Sequence, residues 1–172
     1  MYDRDPYTFA NNDLIPKPIL DVITGILKSW DMAETDYRYI DMFQPDGILH
    51  VAPEPSSGRE AMKSLHDNLI HPQNGPLVDL QHYLDRVFLM PGNTGGKTEV
   101  VFTGKLDNFL ANGEKVTTDF ATWVILSESQ EVKGALRADL VRVFSDCSAL
   151  FGAIEKMMSA TNGANGAGGT KA

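Results

Sequence analysis

Four strand-length runs follow one another in the second half of the chain, and they constrain the fold more than any other feature. Gln81 to Met90, Thr98 to Leu110, Val116 to Leu126 and Ala135 to Phe144 are rich in β-branched and aromatic residues. Ala111-Asn112-Gly113 closes the second run, and Asn-Gly is a strong hairpin signal. Pro91 to Gly96 and Ser127 to Gly134 turn the chain between the others. Consecutive strands joined by short turns pair side by side, so these runs predict an antiparallel sheet.

The first half reads as helical. Ile19, Leu20, Val22, Ile23, Ile26, Leu27 and Trp30 recur at helical spacing after Pro16, and Pro18 suits a first helical turn. Glu34 to Phe43 fits a second short helix, with Tyr37, Ile40 and Phe43 on one face. Pro45-Asp46-Gly47 is a turn signal, after which Ile48 to Ala52 reads as a short strand. Ser57-Gly58-Arg59-Glu60 matches a capping box and opens a helix carried by Ala61, Met62, Leu65 and Leu69. A last amphipathic helix fits Ser145 to Met158, with Cys147, Leu150, Phe151, Ile154 and Met158 on its apolar face. Helices segregated from strands give an α+β domain. The expected form is a curved antiparallel sheet wrapped around the N-terminal helices with a cavity on its concave side, and the last helix either covers the cavity mouth or packs across a two-fold axis on a partner chain. One domain spans 16–159, after a polar arm at 1–15 in which Tyr2, Tyr7, Phe9 and Leu14 are the pinning candidates. The Gly-rich segment 160–172 is expected to be a disordered tail.

Charge and motif content exclude several functions. Lys plus Arg number 15 against 23 Asp plus Glu, a net charge of −8, so nucleic acid and anionic membrane surfaces are disfavoured. No apolar run reaches the ~18 residues of a membrane span, and Met1 to Phe9 lacks the apolar core of a signal peptide. The lone Cys147 and four scattered histidines show no metal-ligand spacing, so no metal site is expected. No phosphate-binding glycine motif or serine nucleophile elbow is present, and no cofactor is expected. The reading is a cytoplasmic, cofactor-independent protein.

Alternation along the strands divides the candidate residues between faces. His82, Leu84, Arg86 and Phe88 share one face of the first long strand. Arg137, Asp139, Val141 and Val143 share one face of the fourth, and the valines suggest that this face meets the core. Asp139 is then either a carboxylate on an apolar cavity wall, suited to proton transfer, or half of an internal ion pair with Arg137 or Arg86. Arg38, between Tyr37 and Tyr39, is a candidate for orienting a substrate oxygen at the cavity mouth, or a solvated helix residue. His50, on the short early strand, is a further candidate for the cavity. One β-bulge would exchange the two faces of any of these strands.

The order of short motifs resembles the SnoaL-like, or nuclear-transport-factor-2-like, superfamily. The resemblance rests on Met42-Phe43-Gln44-Pro45-Asp46-Gly47, Ser57-Gly58-Arg59-Glu60-Ala61-Met62, Gln81-His82-Tyr83-Leu84 and Val141-Arg142-Val143-Phe144-Ser145-Asp146, and covers roughly residues 16–150. It implies a cone-shaped α+β domain. Members include scytalone dehydratase, polyketide cyclases, ketosteroid isomerase and limonene epoxide hydrolase, besides association modules. Gln81-His82-Tyr83-Leu84 is similar to the scytalone dehydratase segment bearing a catalytic histidine, which implies His82 as a proton carrier. No histidine follows His82, a departure from that enzyme's second catalytic histidine. Lys105-Leu106-Asp107 looks like the Arg-x-Asp pair of limonene epoxide hydrolase, and it also fits a solvated cross-strand ion pair on the convex face. The family's cavity side matches Thr118, Phe120, Thr122 and Val124 of the third strand. The resemblance implies a cyclase, isomerase or dehydratase acting by acid–base chemistry on a small polyketide- or terpenoid-like metabolite, with His82 and one carboxylate, Asp107 or Asp139, as the proton carriers. Arg38, His50, Lys105 and Thr122, with Phe88 and Phe120, are the substrate-binding candidates. Its rivals are an epoxide hydrolase using Asp107 and Asp139, and a non-catalytic binding or assembly module. The partners expected are a small apolar or aromatic metabolite and a second copy of the chain in a homodimer.

Overall fold

The apolar stripe after Pro16 forms α1 (Lys17–Trp30), which buries Ile19, Leu20, Val22, Ile23, Ile26, Leu27 and Trp30. Pro18 lies in its first turn, where a missing N–H is not needed. The structure is a computed structural model describing residues 5–51, 54–71, 73, 75–92 and 95–166.

The helix expected over 34–43 is a short 3-10 turn, Arg38–Met42. Thr35 and Asp36 explain the difference. The Thr35 hydroxyl accepts the Tyr37 N–H, Asp36 Oδ1 accepts the Arg38 N–H, and Tyr37 is left-handed at φ 57°. These local side-chain bonds satisfy the backbone outside a helix. Phe43 then opens β1 (Phe43–His50), earlier than expected. Pro45-Asp46-Gly47 does not end the strand. It forms an irregularity inside it, with pairing to the neighbouring strand broken between Phe43 and Ile48. A Cβ at Gly47 would lie 2.9 Å from the Ala138 carbonyl oxygen, so this close approach requires glycine.

Next come β2 (Ser56–Ser57) and α2 (Arg59–Leu69). The capping box is not formed. Ser57 is held in β2 opposite Ile48, and Gly58 occupies the cap position at φ 78°. The four long strands are β3 (Leu77–Leu89), β4 (Thr98–Leu110), β5 (Lys115–Glu128) and β6 (Leu136–Ser145). They form one sheet in the order β2-β1-β6-β5-β4-β3, antiparallel except for the parallel β1–β6 pair. The Asn112-Gly113 hairpin joins β4 to β5, with Gly113 at φ 84°.

Two register shifts decide which side chains face inward. In β3 the pairing passes from Leu84–Gly104 to Val87–Phe102, which turns Val87 into the core and Phe88 outward. In β6 it passes from Leu140–Ile125 to Ala138–Leu126, which displaces Asp139 from the alternation. The residues before α1 lie along β3. Pro6 and Ala10 hydrogen-bond its backbone, Asn11 clasps Val87 through its amide, and Phe9 is buried edge-on to Phe102. Leu14 stays exposed, and Tyr2 lies outside the described residues.

The last helix is α3 (Ser148–Gly166), opened by Asp146, whose carboxylate accepts the Ser148 N–H. It begins after Ser145, which belongs to β6, and runs past the expected end into the segment read as tail. Extending a formed helix costs far less than nucleating one, so weak formers continue it. Residues 167–172 lie outside the described residues. Among the described residues no helix is long and apolar enough to cross a membrane.

Candidate active site

Between α1, the concave sheet face and α3 lies a cavity of about 130 Å³. Its walls are mostly apolar: Ile23, Ile26 and Trp30 from α1, Phe102 from β4, Phe120 from β5 and Val141 from β6. Leu150 and Phe151 of α3 close one side, Leu150 buried and Phe151 54% exposed at the rim. No Lys, Arg, Asp or Glu is among the described residues lining it. The polar groups are few: His82, Asn108, Thr118, Thr122, Ser145 and Cys147.

His82 stands on the cavity wall as expected, 8% exposed and edge-on to Phe120 at 5.2 Å. Its partner is a residue that sequence reasoning missed, Asp31. The backbone N–H of Asp31 ends α1 by donating to the Leu27 carbonyl. The Asp31 carboxylate then receives three hydrogen bonds. His82 Nδ1 donates to Oδ1 at 2.5 Å, the His82 backbone N–H to Oδ2 at 2.8 Å, and the Tyr7 hydroxyl to Oδ2 at 2.8 Å. A carboxylate only accepts, so Nδ1 carries a proton in this pair and Nε2 is the ring nitrogen that the pair leaves free of Asp31. Asp31 sits against the negative end of the α1 dipole, where a cation is favoured. That mismatch was the signal available in the sequence: an acid directly after the apolar stripe breaks a local rule, as functional sites do.

Two other predicted residues reach the cavity. Thr122 is buried on its wall and makes no side-chain hydrogen bond among the described residues, and Phe120 packs between His82 and Phe102. The remaining candidates do not. Asp107 pairs with Gln81 and Thr117 on the opposite sheet face, because strand neighbours of the inward Leu106 and Asn108 point outward. There it accepts from Thr117 at 2.6 Å and Lys115 at 2.9 Å. Burial pushes its pKa up, but those two donors outweigh it and hold the carboxyl below the ordinary range. Lys105 is on the same convex face, 3.5 Å from Asp119. The β6 shift carries Asp139 off the cavity wall and sets it 3.4 Å from Lys97. The β3 shift leaves Phe88 exposed. His50 pairs with Arg142, one place beyond the inward Leu49–Val141 pair, so it faces away. Arg38 is a surface residue paired with Asp36. Among the described residues no group of three His, Cys, Asp or Glu side chains is placed to hold a metal ion.

No family model and no curated protein sequence matches the chain. Solved structures do. A hexachlorocyclohexane dehydrochlorinase, LinA type 2, superposes with a TM-score of 0.64 at 13% identity, over 76% of this chain and 84% of its own. ActVI-ORFA from Streptomyces coelicolor gives 0.60 at 13% identity, over 76% and 96%. TerC, co-crystallised with polyporic acid, gives 0.58 at 15% identity, over 80% and 98%. Likeness at such identity establishes the fold, which is the SnoaL-like, nuclear-transport-factor-2-like cone.

Proposed function

We propose that this chain is a cofactor-independent acid–base enzyme of the isomerase, cyclase or dehydratase kind, acting on a small, neutral, apolar or aromatic metabolite of secondary metabolism. The observation that carries the reading is the Asp31–His82 pair, buried against an otherwise uncharged cavity. In the proposed step, His82 Nε2 removes a proton from a substrate carbon activated by a neighbouring oxygen. The C–H electron pair becomes a carbon–carbon double bond as the π pair of the neighbouring carbonyl moves onto its oxygen, and the carbonyl re-forms when the proton is delivered. Asp31 stabilises the imidazolium and fixes its orientation, as a carboxylate does behind any histidine base. His82 then returns the proton to another carbon, giving an isomer, or to a departing hydroxyl, giving water and an alkene. In this reading Thr122, on the cavity wall, hydrogen-bonds the substrate oxygen.

The lining supports a neutral substrate, since a carboxylate or phosphate would find no cation there. Neighbours in fold include a dehydrochlorinase, whose named reaction is an elimination, and a protein co-crystallised with polyporic acid. The epoxide-hydrolase alternative loses its basis, because Asp107 and Asp139 both lie off the cavity.

The test is hydrogen exchange in D2O. A panel of neutral hydroxylated cyclic ketones is incubated with the full chain, and loss of activated C–H signals or appearance of alkene signals is followed by NMR. His82→Ala should slow the reaction at least ~100-fold, the scale for losing a general base, and Asp31→Asn comparably. Binding of panel members with no exchange or elimination in the wild type would favour a binding module. Reaction persisting unchanged in His82→Ala would overturn the proposal.

A further inference from the structure

The residues before α1 do more than cover the edge of β3. Pro6 and Ala10 bond the β3 backbone on either side of Tyr7, and this directs Tyr7 inward across the end of α1. Its hydroxyl reaches Asp31 Oδ2 at 2.8 Å, the same oxygen that accepts the His82 backbone N–H. Oδ2 is thereby occupied twice, and only Oδ1 remains for the imidazole. We propose that Tyr7 is a positioning residue of this site, the third member of a Tyr7–Asp31–His82 relay that locks the carboxylate's rotation and tempers its basicity. The inference rests on the acid–base reading of His82 and adds that the N-terminal segment is part of the site.

The physical argument is one of charge sharing. Asp31 is 5% exposed at a helix end whose dipole repels it, so its charge is carried by its donors. A neutral phenol donating to Oδ2 draws charge from Oδ1 and weakens the pull on the His82 proton. The phenol stays protonated, because burial and then the Asp31 charge raise its pKa. The other charged groups around the relay are Lys28, whose Nζ lies 5.3 Å from the Tyr7 ring centre, Asp5, which accepts the Tyr7 N–H, and His66, which acts on Asp31 only through space. None of them bonds Asp31 among the described residues.

Tyr7→Phe keeps the ring and removes only the hydroxyl. In the full-length protein, the His82 imidazole is titrated by NMR and its Nδ1–H proton resonance is recorded, with no substrate needed. The variant should raise the His82 midpoint by roughly 0.5–1 pH unit, since a less tempered carboxylate favours the imidazolium, and should shift the Nδ1–H signal. Asp31→Asn should move the midpoint down, which tests the dyad separately. An unchanged midpoint and resonance in Tyr7→Phe, with Asp31→Asn still shifting both, would leave the acid–base reading standing and overturn the Tyr7 role. If neither variant moves His82, both fail. Should Tyr7→Phe not fold, 3-fluorotyrosine placed at position 7 decides. Its more acidic hydroxyl donates more strongly and must lower the midpoint, and no change overturns the inference.

Discussion

Gly104→Ala is the sharpest test of how the sheet shapes the cavity. Gly104 lies on the inward face of β4, opposite Leu84 on β3 and Phe120 on β5, immediately beside the register shift that bends β3. A Cβ there would stand 2.4 Å from the Tyr83 carbonyl oxygen and 2.7 Å from Phe120 Cζ. Ordinary contact begins near 3.4 Å, so strand backbone and ring must each retreat by several tenths of an ångström to a full one. The ring is packed against His82 and Phe102, so its retreat disturbs the cavity wall. The carbonyl belongs to a paired strand and cannot rotate away cheaply. Overpacking of this kind costs about 1–3 kcal/mol, and a backbone clash belongs at the upper end. At about 2–4 °C per kcal/mol for a chain of this size, the melting temperature should fall by roughly 6–12 °C. The opposing effect is small: Gly→Ala stiffens the unfolded chain and by itself stabilises by about 0.4–1 kcal/mol. The sign therefore discriminates. Thermal unfolding by circular dichroism gives the stability, and quenching of Trp30 fluorescence by an apolar cavity ligand gives the occupancy. A melting temperature unchanged or raised, with ligand binding retained, would refute the argument that this glycine is required by close approach.

Two further outcomes follow from groups outside the cavity. Asp107→Asn should leave any turnover within about twofold of wild type while lowering the melting temperature by about 2–4 °C, since it loses the pairing to Lys115 and weakens that to Thr117; a large loss of turnover would return Asp107 to the chemistry. His66 is buried among Trp30, Tyr37 and Tyr39, with Nε2 bonded to the Trp30 carbonyl and Nδ1 lacking a hydrogen-bond partner among the described residues. Burial lowers its pKa below the ordinary 6.5, so between the folded and unfolded values the unfolded chain binds more protons. The stability that neutral His66 supplies is complete above pH 6.5 and is lost as the pH falls below it. Melting temperatures from pH 7.5 to 5 should show that loss, and His66→Gln should flatten the curve.

Much of this protein is decided locally. The stripe from Ile19 to Trp30 makes α1 whatever surrounds it, because its apolar period is that of a helix. The four β-rich runs and Asn112-Gly113 make the hairpin-linked sheet for the same kind of reason. Local alternation also places His82, Phe120 and Thr122 correctly, because they lie on strand segments that keep their register. Phe88 and Asp139 lie beyond register shifts, and there alternation from the sequence points to the wrong face. A bulge is set by how two strands accommodate Gly104, Val87 and Ala138 in a curved sheet, which no single strand encodes. Asp107 and Lys105 show the converse. Their spacing looks catalytic, yet the sheet turns them to its convex face because the neighbouring Leu106 and Asn108 are drawn inward. The central pair was the least legible. Asp31 and His82 are 51 residues apart, on a helix end and a strand, and only their packing against Tyr7 and Phe120 brings a carboxylate to 2.5 Å from an imidazole. Helix and strand follow from the order of residues nearby in the chain. A hydrogen-bonded pair needs side chains within reach of one another, and that distance is set by the tertiary packing of elements the sequence holds far apart.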